Sequence, residues 1–378
     1  MSILKVAKIR GVSASSDAIS VANDGTCTAN ITNNLSNRNL LINGDMQISQ
    51  RNGTTSVAYT NAQYSLDRWQ VVNDAGGSKF TTQQVDDAPV GFQKSLKMSS
   101  SSAYSVPADE VYGVGQKIEG FNTNPLMFGS SDAKSITISF FVKSSLTGTF
   151  SGSVLNQDML RGYPWTYTIS AANTWEYKTV TVAGSQDGTW LEDNREGIRI
   201  FWNMGSGTNR SGTAGQWSTA QYTFGATGAT SVVGTNGATL QITGCQVEEG
   251  SVATDFEHRS FGQELALCQR YFYQIDGSNN EIAGIPSGFF GSSEFFILIK
   301  FPVTMRATPS FTGSSTAFRA VGAADSGSKN LNNLVIWGTG LPTSMALSCN
   351  QTSGGTAGYA GAMQFQADNG FLQFSSEL

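Results

Sequence analysis

Residues 135–143 read SITISFFVK, and this stretch decides the fold. Ile136, Ile138, Phe140 and Val142 fall on one face, while Ser135, Thr137, Ser139 and Phe141 fall on the other. Side chains alternate across a strand, so a period of two with one apolar face marks sheets packed face to face. The same period runs through EYKTVTVAG (176–184), EGIRIFW (196–202) and ATLQITGCQVEEG (238–250). Turn-rich stretches separate these runs: NDAGGSK (73–79), SLTGT (145–149), SQDGT (185–189) and NMGSGTNRSGTAG (203–215). Residues 39–258 therefore read as a β-sandwich of jelly-roll type.

Composition agrees with an all-β chain. Of 378 residues, 42 are glycine, 11% are aromatic and only 13% are charged, against about 25% charged in typical soluble domains. Aromatic content of that order speaks against disorder. The net charge is −5 and no cluster of Lys and Arg occurs, so a nucleic-acid partner is not expected. No apolar run reaches the ~18–20 residues of a membrane span, and MSILKVAKIRG lacks the apolar core of a signal peptide. Cys27, Cys245, Cys268 and Cys349 are far apart in sequence. That spacing predicts free, buried thiols rather than a disulfide framework or a zinc site. No repeat of fixed period is visible, which disfavours solenoids and propellers.

The chain divides into four parts. Residues 1–38 alternate apolar and polar positions in ILKVAKI (3–9) and DAISVANDGTCTANI (17–31), with a turn at Asp24-Gly25. This arm has no large aromatic residue and cannot build its own core. It is expected to pair with a neighbouring copy or with a socket on a larger assembly. Residues 39–258 are the sandwich. Residues 259–273 form a helix. Ser260 and Gln263 make a capping box, and Phe261, Leu265, Cys268 and Phe272 form one apolar stripe over three to four turns. Residues 274–378 form a smaller β-sandwich domain containing EFFILIKFPVTMRATPSF (294–311), NLVIWG (333–338) and SMALSCN (344–350). The Asn369-Gly370 pair predicts a hairpin between the last two strands.

Chemistry is sparse. His258 is the only histidine, so any Ser or Cys triad would have to use it. Its place before the capping serine suits a structural role. No nucleophile elbow, P-loop, HExxH or EF-hand loop occurs. Carboxylates gather in WLEDNRE (190–196), with Glu192, Asp193 and Glu196, and in VEEG, with Glu248 and Glu249. They read as surface loops. A weak structural Ca²⁺ candidate is Asp187, Glu192 and Asp193, since hard cations take such oxygens; no other cofactor is expected. The aromatics carry more. RGYPWTYT (161–168) brings Tyr163 and Trp165 together, and Trp190 and Trp217 lie in turn-rich sequence. Rings with an apolar face can stack on sugars while Asn, Gln and Asp take the hydroxyls. Tyr163, Trp165, Trp190 and Trp217 are thus candidate glycan contacts, with core plugs of the sandwich as the alternative.

NRNLLINGDMQISQRNGTT (37–55) with YSLDRWQ (64–70) resembles the opening of a domain common in virion structural proteins of tailed bacteriophages. ITGCQVEEGSVATDFEHRSFGQELALCQRYFY (242–273) resembles the closing signature of that domain, and FPVTMRATPSF (301–311) with FLQFSSEL (371–378) is similar to the family's C-terminal module. The likeness implies a non-enzymatic fibre or appendage subunit with a jelly roll of carbohydrate-binding-module type. It implies a homotrimer on the particle exterior, joined to other virion proteins through residues 1–38 and contacting host-surface polysaccharide. In that context the helix is a spacer and packing element between two β modules. A purely structural virion role, as head decoration or tail-collar connector, and a glycan-cleaving depolymerase are the alternatives.

Overall fold

A computed structural model of the chain describes residues 6–10, 12, 19–21, 27–29, 37–74, 77–277, 281–289, 293–314, 317–322, 329–351, 357–366, 368 and 370–378. Within the arm, β1 (Lys8–Ile9), β2 (Ile19–Val21) and β3 (Cys27–Ala29) form a separate three-stranded sheet. β2 pairs antiparallel with β3, Val21 opposite Cys27; Asp24 and Gly25 between them lie outside the described residues. Val6, Ile9, Val12 and Val21 are exposed, so these apolar side chains stay uncovered within the single chain.

The sandwich is built from β4 (Gln70–Asn73), β5 (Phe80–Val85), β6 (Ser95–Ser100), β7 (Val111–Glu119), β8 (Ile136–Ser144), β9 (Gly148–Asn156), β10 (Gly162–Ile169), β11 (Glu176–Val182), β12 (Glu196–Ser206) and, after a short parallel ladder of β13 (Ser211–Gly212) on β14 (Gly225–Ala226), β15 (Thr239–Glu249). Two five-stranded antiparallel sheets result, ordered β10-β9-β12-β7-β4 and β11-β8-β15-β6-β5. The inward positions forecast by alternation are the buried ones: Ile136, Ile138, Phe140 and Val142 from one sheet meet Ile198, Ile200 and Trp202 from the other. Rings dominate this core. Trp202 lies 5.3 Å from Trp69, 5.6 Å from Phe140 and 5.8 Å from Trp165, in the tilted and edge-to-face geometries that aromatic quadrupoles favour.

Helix α1 (Gly120–Thr123) is a single turn; α2 (Phe261–Gln269) follows the sandwich. The capping box of α2 forms: Ser260 accepts from the Gln263 amide, and the Gln263 side chain accepts from the Ser260 amide. The stripe is shorter than its spacing promises. Phe261 is 63% exposed, and Phe272 belongs to the next strand because the helix ends at Gln269. Cys268 and Tyr271 instead pack against Ile42 and Ile48 of the sandwich, with Leu265, Leu267 and Leu378 around them.

Beyond it lie β16 (Phe272–Gly277), β17 (Ile282–Phe289), β18 (Glu294–Lys300), β19 (Ser310–Gly313), β20 (Phe318–Gly322), β21 (Lys329–Ile336), β22 (Ser344–Gln351), β23 (Ala360–Phe365) and β24 (Gly370–Ser375). Six of these close into a barrel, β17-β18-β22-β21-β20-β23, while β16-β24-β19 form a three-stranded sheet against the same core. Closure removes the free sheet edges that an open sandwich would carry. It also overrides the predicted hairpin at 369–370. β23 pairs with β17 and β20, whereas β24 pairs with β16 and β19, so the two strands flanking Asn369-Gly370 are not partners. Asn369 itself lies outside the described residues. Local turn chemistry lost to burial: β23 places Met363 and Phe365, and β24 places Leu372 and Phe374, in one core from two different sheets.

The helix does not hold the two β modules apart. At its end, Arg270 makes a two-pronged bond to Glu119 of the sandwich, 2.8 Å on each side, and the Tyr271 hydroxyl donates to the same carboxylate. Arg306 of the second module donates to the Asn194 carbonyl at 3.0 Å and to the Glu377 carbonyl at 2.9 Å. The segment packs between the modules as expected, but as a clasp and not as a spacer. Cys245, Cys268 and Cys349 are buried free thiols, as the spacing of cysteines predicts; the Cys27 side chain is outside the described set.

Candidate functional site

The outward rows of the β11-β8-β15 sheet make the floor of an open groove. Register sets Tyr177 beside Phe141 and Phe141 beside Thr243; the next row is Thr179, Ser139 and Gln246. Neighbouring outward side chains on paired strands lie about 5 Å apart, so the floor offers the rings of Tyr177 and Phe141 beside the hydroxyls of Thr179 and Ser139, while Thr243 and Gln246 are fully buried. A bulge in β15 between Thr243 and Gln246 turns Cys245 into the core. At that bulge Gly244 adopts φ +58°, and a Cβ there would come within 2.6 Å of Phe92 Cζ. Glycine is required twice over, for the left-handed backbone and for the ring lying on it.

The walls come from two loops. Phe92 stands 5.4 Å from Phe141 and 5.2 Å from Phe256, and His258 lies 5.4 Å from Phe92 and 4.9 Å from Phe256. Tyr177, 5.0 Å from Phe141, is 47% exposed and closes the other side. The groove measures about 830 Å³ and is also lined by Ser139, Thr179, Ser251, Thr254 and Asp255.

Buried polar groups hold the loop 250–257 in place. Glu248, 3% exposed, accepts from the Thr254 amide at 2.8 Å and from its hydroxyl at 2.7 Å. Gln246 accepts from the Glu257 amide at 2.8 Å. Thr137 and Thr181 donate to the carbonyls of Gly250 and Ser251 at 2.8 and 3.2 Å. A wall fixed this way keeps its rings in place before a ligand arrives, which lowers the entropy cost of binding.

None of the four aromatic candidates lines this groove. Trp165 is 1% exposed and sits among Phe140, Tyr167 and Trp202. It is a core residue, because its strand turns Thr166 and Thr168 outward instead. Tyr163 is 8% exposed and packs 5.3 Å from Trp217. Trp190 and Trp217 are half-buried pegs at the sandwich edge, 5.6 Å apart, both against Phe128. Their indole N–H groups are taken by backbone carbonyls, Trp190 by Asp187 at 3.1 Å and Trp217 by Ala183 at 2.8 Å. The rings that do face outward, Phe92, Phe141, Tyr177, Phe256 and His258, were signalled only in part. Tyr177 stands opposite in phase to Val180 and Val182, which marks it as outward; the loop residues carry no local signal. His258 is exposed at the groove rim and not folded into a cap.

The carboxylates do not assemble either. Asp187 is paired with Arg161, and Asp193 takes the Arg195 side chain at 2.7 Å. These ion pairs spend two of the three proposed Ca²⁺ ligands, and among the described residues no group of three or more His, Cys, Asp or Glu is arranged to hold a metal. Glu196 engages Arg199, and Glu249 lies 2.9 Å from Lys134.

No family model matches the sequence, and no curated protein matches it. Solved structures do. The enzymatically active domain of tailspike protein 4 of bacteriophage CBA120 aligns at 14% identity and TM-score 0.31, over 56% of this chain and 22% of that one. The family 11 carbohydrate-binding module of Clostridium thermocellum, solved in complex with a β-1,3-1,4-mixed-linked tetrasaccharide, aligns at 14% identity and TM-score 0.25, over 55% of this chain and all (100%) of that one. The CBM22-1 xylan-binding domain of Paenibacillus barcinonensis Xyn10C aligns at 11% identity and TM-score 0.25, over 54% and 99% of the two chains.

Proposed function

We propose that this chain grips glycans without cleaving them, as a subunit of a tailed-phage appendage on the particle exterior. The observation that carries the binding reading is the open groove whose rings, Phe92, Phe141, Tyr177 and Phe256, stand over a floor of Ser139 and Thr179. Ring faces cover the apolar side of a sugar while hydroxyls and amides take its polar edge. Asp255 is the one carboxylate among the groove's lining residues, whereas glycoside hydrolysis uses two, about 5–9.5 Å apart. That favours binding over cleavage. The virion setting rests on the sequence resemblance of residues 37–70 and 242–273.

The proposed homotrimer has support in uncovered apolar surface. Ile282, Leu298, Trp337 and Leu341 of the second module are each 57–58% exposed, around an open hollow of about 800 Å³ whose only charged lining residue is Lys300. Exposed apolar patches of this kind mark contact surfaces. In a three-fold ring such a patch would meet a different surface of the neighbouring copy. Residues 1–38 would then join the subunits to other virion proteins.

The test is direct. Purified protein is titrated onto host cells and onto a panel of polysaccharides, with Tyr177→Ala and Phe141→Ala beside the native chain. Saturable uptake that both substitutions weaken is the expected result. Uptake unaffected by either would reject the groove, and absence of any uptake would favour a purely structural virion role. Shortening of the polysaccharide would reject the non-enzymatic reading.

A further inference from the structure

The opposite sheet carries a second, smaller cavity of about 270 Å³. Its charged lining is unusual. Lys117 of β7 and Arg199 of β12 are direct cross-strand partners on the outward face. Like charges placed opposite one another destabilise a sheet, and Arg210 adds a third cation to the lining. Glu196 takes two nitrogens of Arg199, at 2.8 and 3.0 Å, and lies 3.5 Å from Lys117. Asp74 also lines the cavity; burial raises its carboxyl while the charge of Arg210 pulls it back down. Lys117 is further engaged by the Leu378 oxygen at 2.7 Å, so the lining cations differ in how well they are met.

Arg199 shows where the charge is unmet. The residue is 7% exposed, yet its third nitrogen, Nη1, finds only the Met159 sulfur, at 3.7 Å. A thioether is a weak acceptor, and a buried charged donor without a good acceptor is costly. Burial pushes the Lys117 amine down, against the opposing pull of Glu196. The rim is strained in the same place: Ala62, Met159 and Tyr222 all have left-handed backbone, at φ +63°, +58° and +66°. Such outliers persist where surrounding structure imposes them, and they gather at ligand sites. Arg210 stacks 4.6 Å over the Tyr222 ring, and Phe224 completes an aromatic wall.

We propose that this cavity binds the carboxylate of a single acidic sugar residue, with Arg199 Nη1 as the principal donor, Lys117 and Arg210 as supporting cations, and Tyr222 as the surface for the sugar ring. Typical drug-sized ligands need roughly 300 Å³ or more, so the volume suits one monosaccharide unit and not an extended chain. The site is independent of the aromatic groove on the other sheet.

The full chain is titrated calorimetrically with glucuronate, glucose and inorganic sulfate. Glucuronate should saturate and glucose should not. Arg210→Gln and Tyr222→Ala, at half-buried positions on the rim, should each weaken glucuronate about tenfold, the loss of one charged or stacking contact worth ~1.4 kcal/mol. Tyr177→Ala, in the groove, should leave glucuronate unchanged, so failure here does not touch the groove reading. Equal binding of glucose and glucuronate overturns the proposal, as does glucuronate binding that survives Arg210→Gln in a protein of native melting temperature. Sulfate competing as strongly as glucuronate overturns the sugar assignment.

Discussion

Arg68 and Glu377, 309 residues apart in sequence, form a buried ion pair between the sandwich and the last turn of described chain. The Arg68 guanidinium also lies 3.5 Å over the Tyr271 ring. Both ionic side chains are nearly inaccessible, at 1% and 6% exposure, and Arg51 reinforces Glu377 at 2.9 Å. Removing one partner of such a pair strands the other charge, which costs about 3–5 kcal/mol. Glu377→Ala should therefore lower unfolding stability by that amount, and the double variant Arg68→Met/Glu377→Leu should recover most of it. Denaturant titration of the three proteins decides; a loss below ~1 kcal/mol in Glu377→Ala would show that the pair does not hold the modules.

Acid should weaken the clasp at Glu119. Burial alone would raise this carboxyl, but hydrogen bonds from Arg270 and Tyr271 outweigh it and hold its pKa below the ordinary value of 4.5. A group depressed in the folded state stabilises in full above its unfolded pKa, and that contribution is lost as pH falls through the lower folded value. Asp67 acts oppositely, because complete burial raises its pKa and protonation then favours the fold. The difference between native protein and Glu119→Gln isolates the first effect: it should shrink steadily as pH drops below about 4.5. A difference that stays constant down to pH ~2 would contradict the assignment.

Groove rings and core rings should respond differently to substitution. Tyr177→Ala removes a half-exposed ring and should weaken glycan binding with stability changed by about 1 kcal/mol at most. Trp165→Ala should instead cost roughly 3–5 kcal/mol of stability. Trp165→Phe should cost much less, because the buried indole N–H has no hydrogen-bond partner to lose. Thermal melts read beside binding isotherms separate the two classes.

Gly244 links fold and site. Alanine there must hold φ +58° and displace Phe92. The backbone term is about 1–2 kcal/mol, and the moved ring should lower glycan affinity although residue 244 offers no side chain to ligand. Unaltered affinity in a folded Gly244→Ala protein would show that Phe92 takes no part in binding.

Much of the fold was legible because a strand writes its two faces directly into the sequence. Ile136, Ile138, Phe140 and Val142 needed nothing beyond their spacing. The same rule held more than composition suggested: Tyr163, Trp165 and Tyr167 share one parity, with Thr166 and Thr168 on the other, which is a core pattern. Ring size and turn-rich surroundings do not distinguish a core ring from a ligand contact; strand parity does. Phe92, Phe256 and His258 were illegible for another reason. They meet around the floor only because the 250–257 loop, pinned by Glu248 and Gln246, lies against the distant loop that carries Phe92. The pairing of β24 was hidden likewise, since a turn dipeptide says nothing of the partner that burial selects.

The grip of Arg270 and Arg306 on the sandwich has a mechanical meaning. Bonds near residues 119, 194 and 377 tie the second module to the sandwich at three separate points, each of which opposes a swing of the barrel. If the proposed appendage role holds, fastening the barrel to a particle would thereby bias the direction in which the ring-lined trough faces.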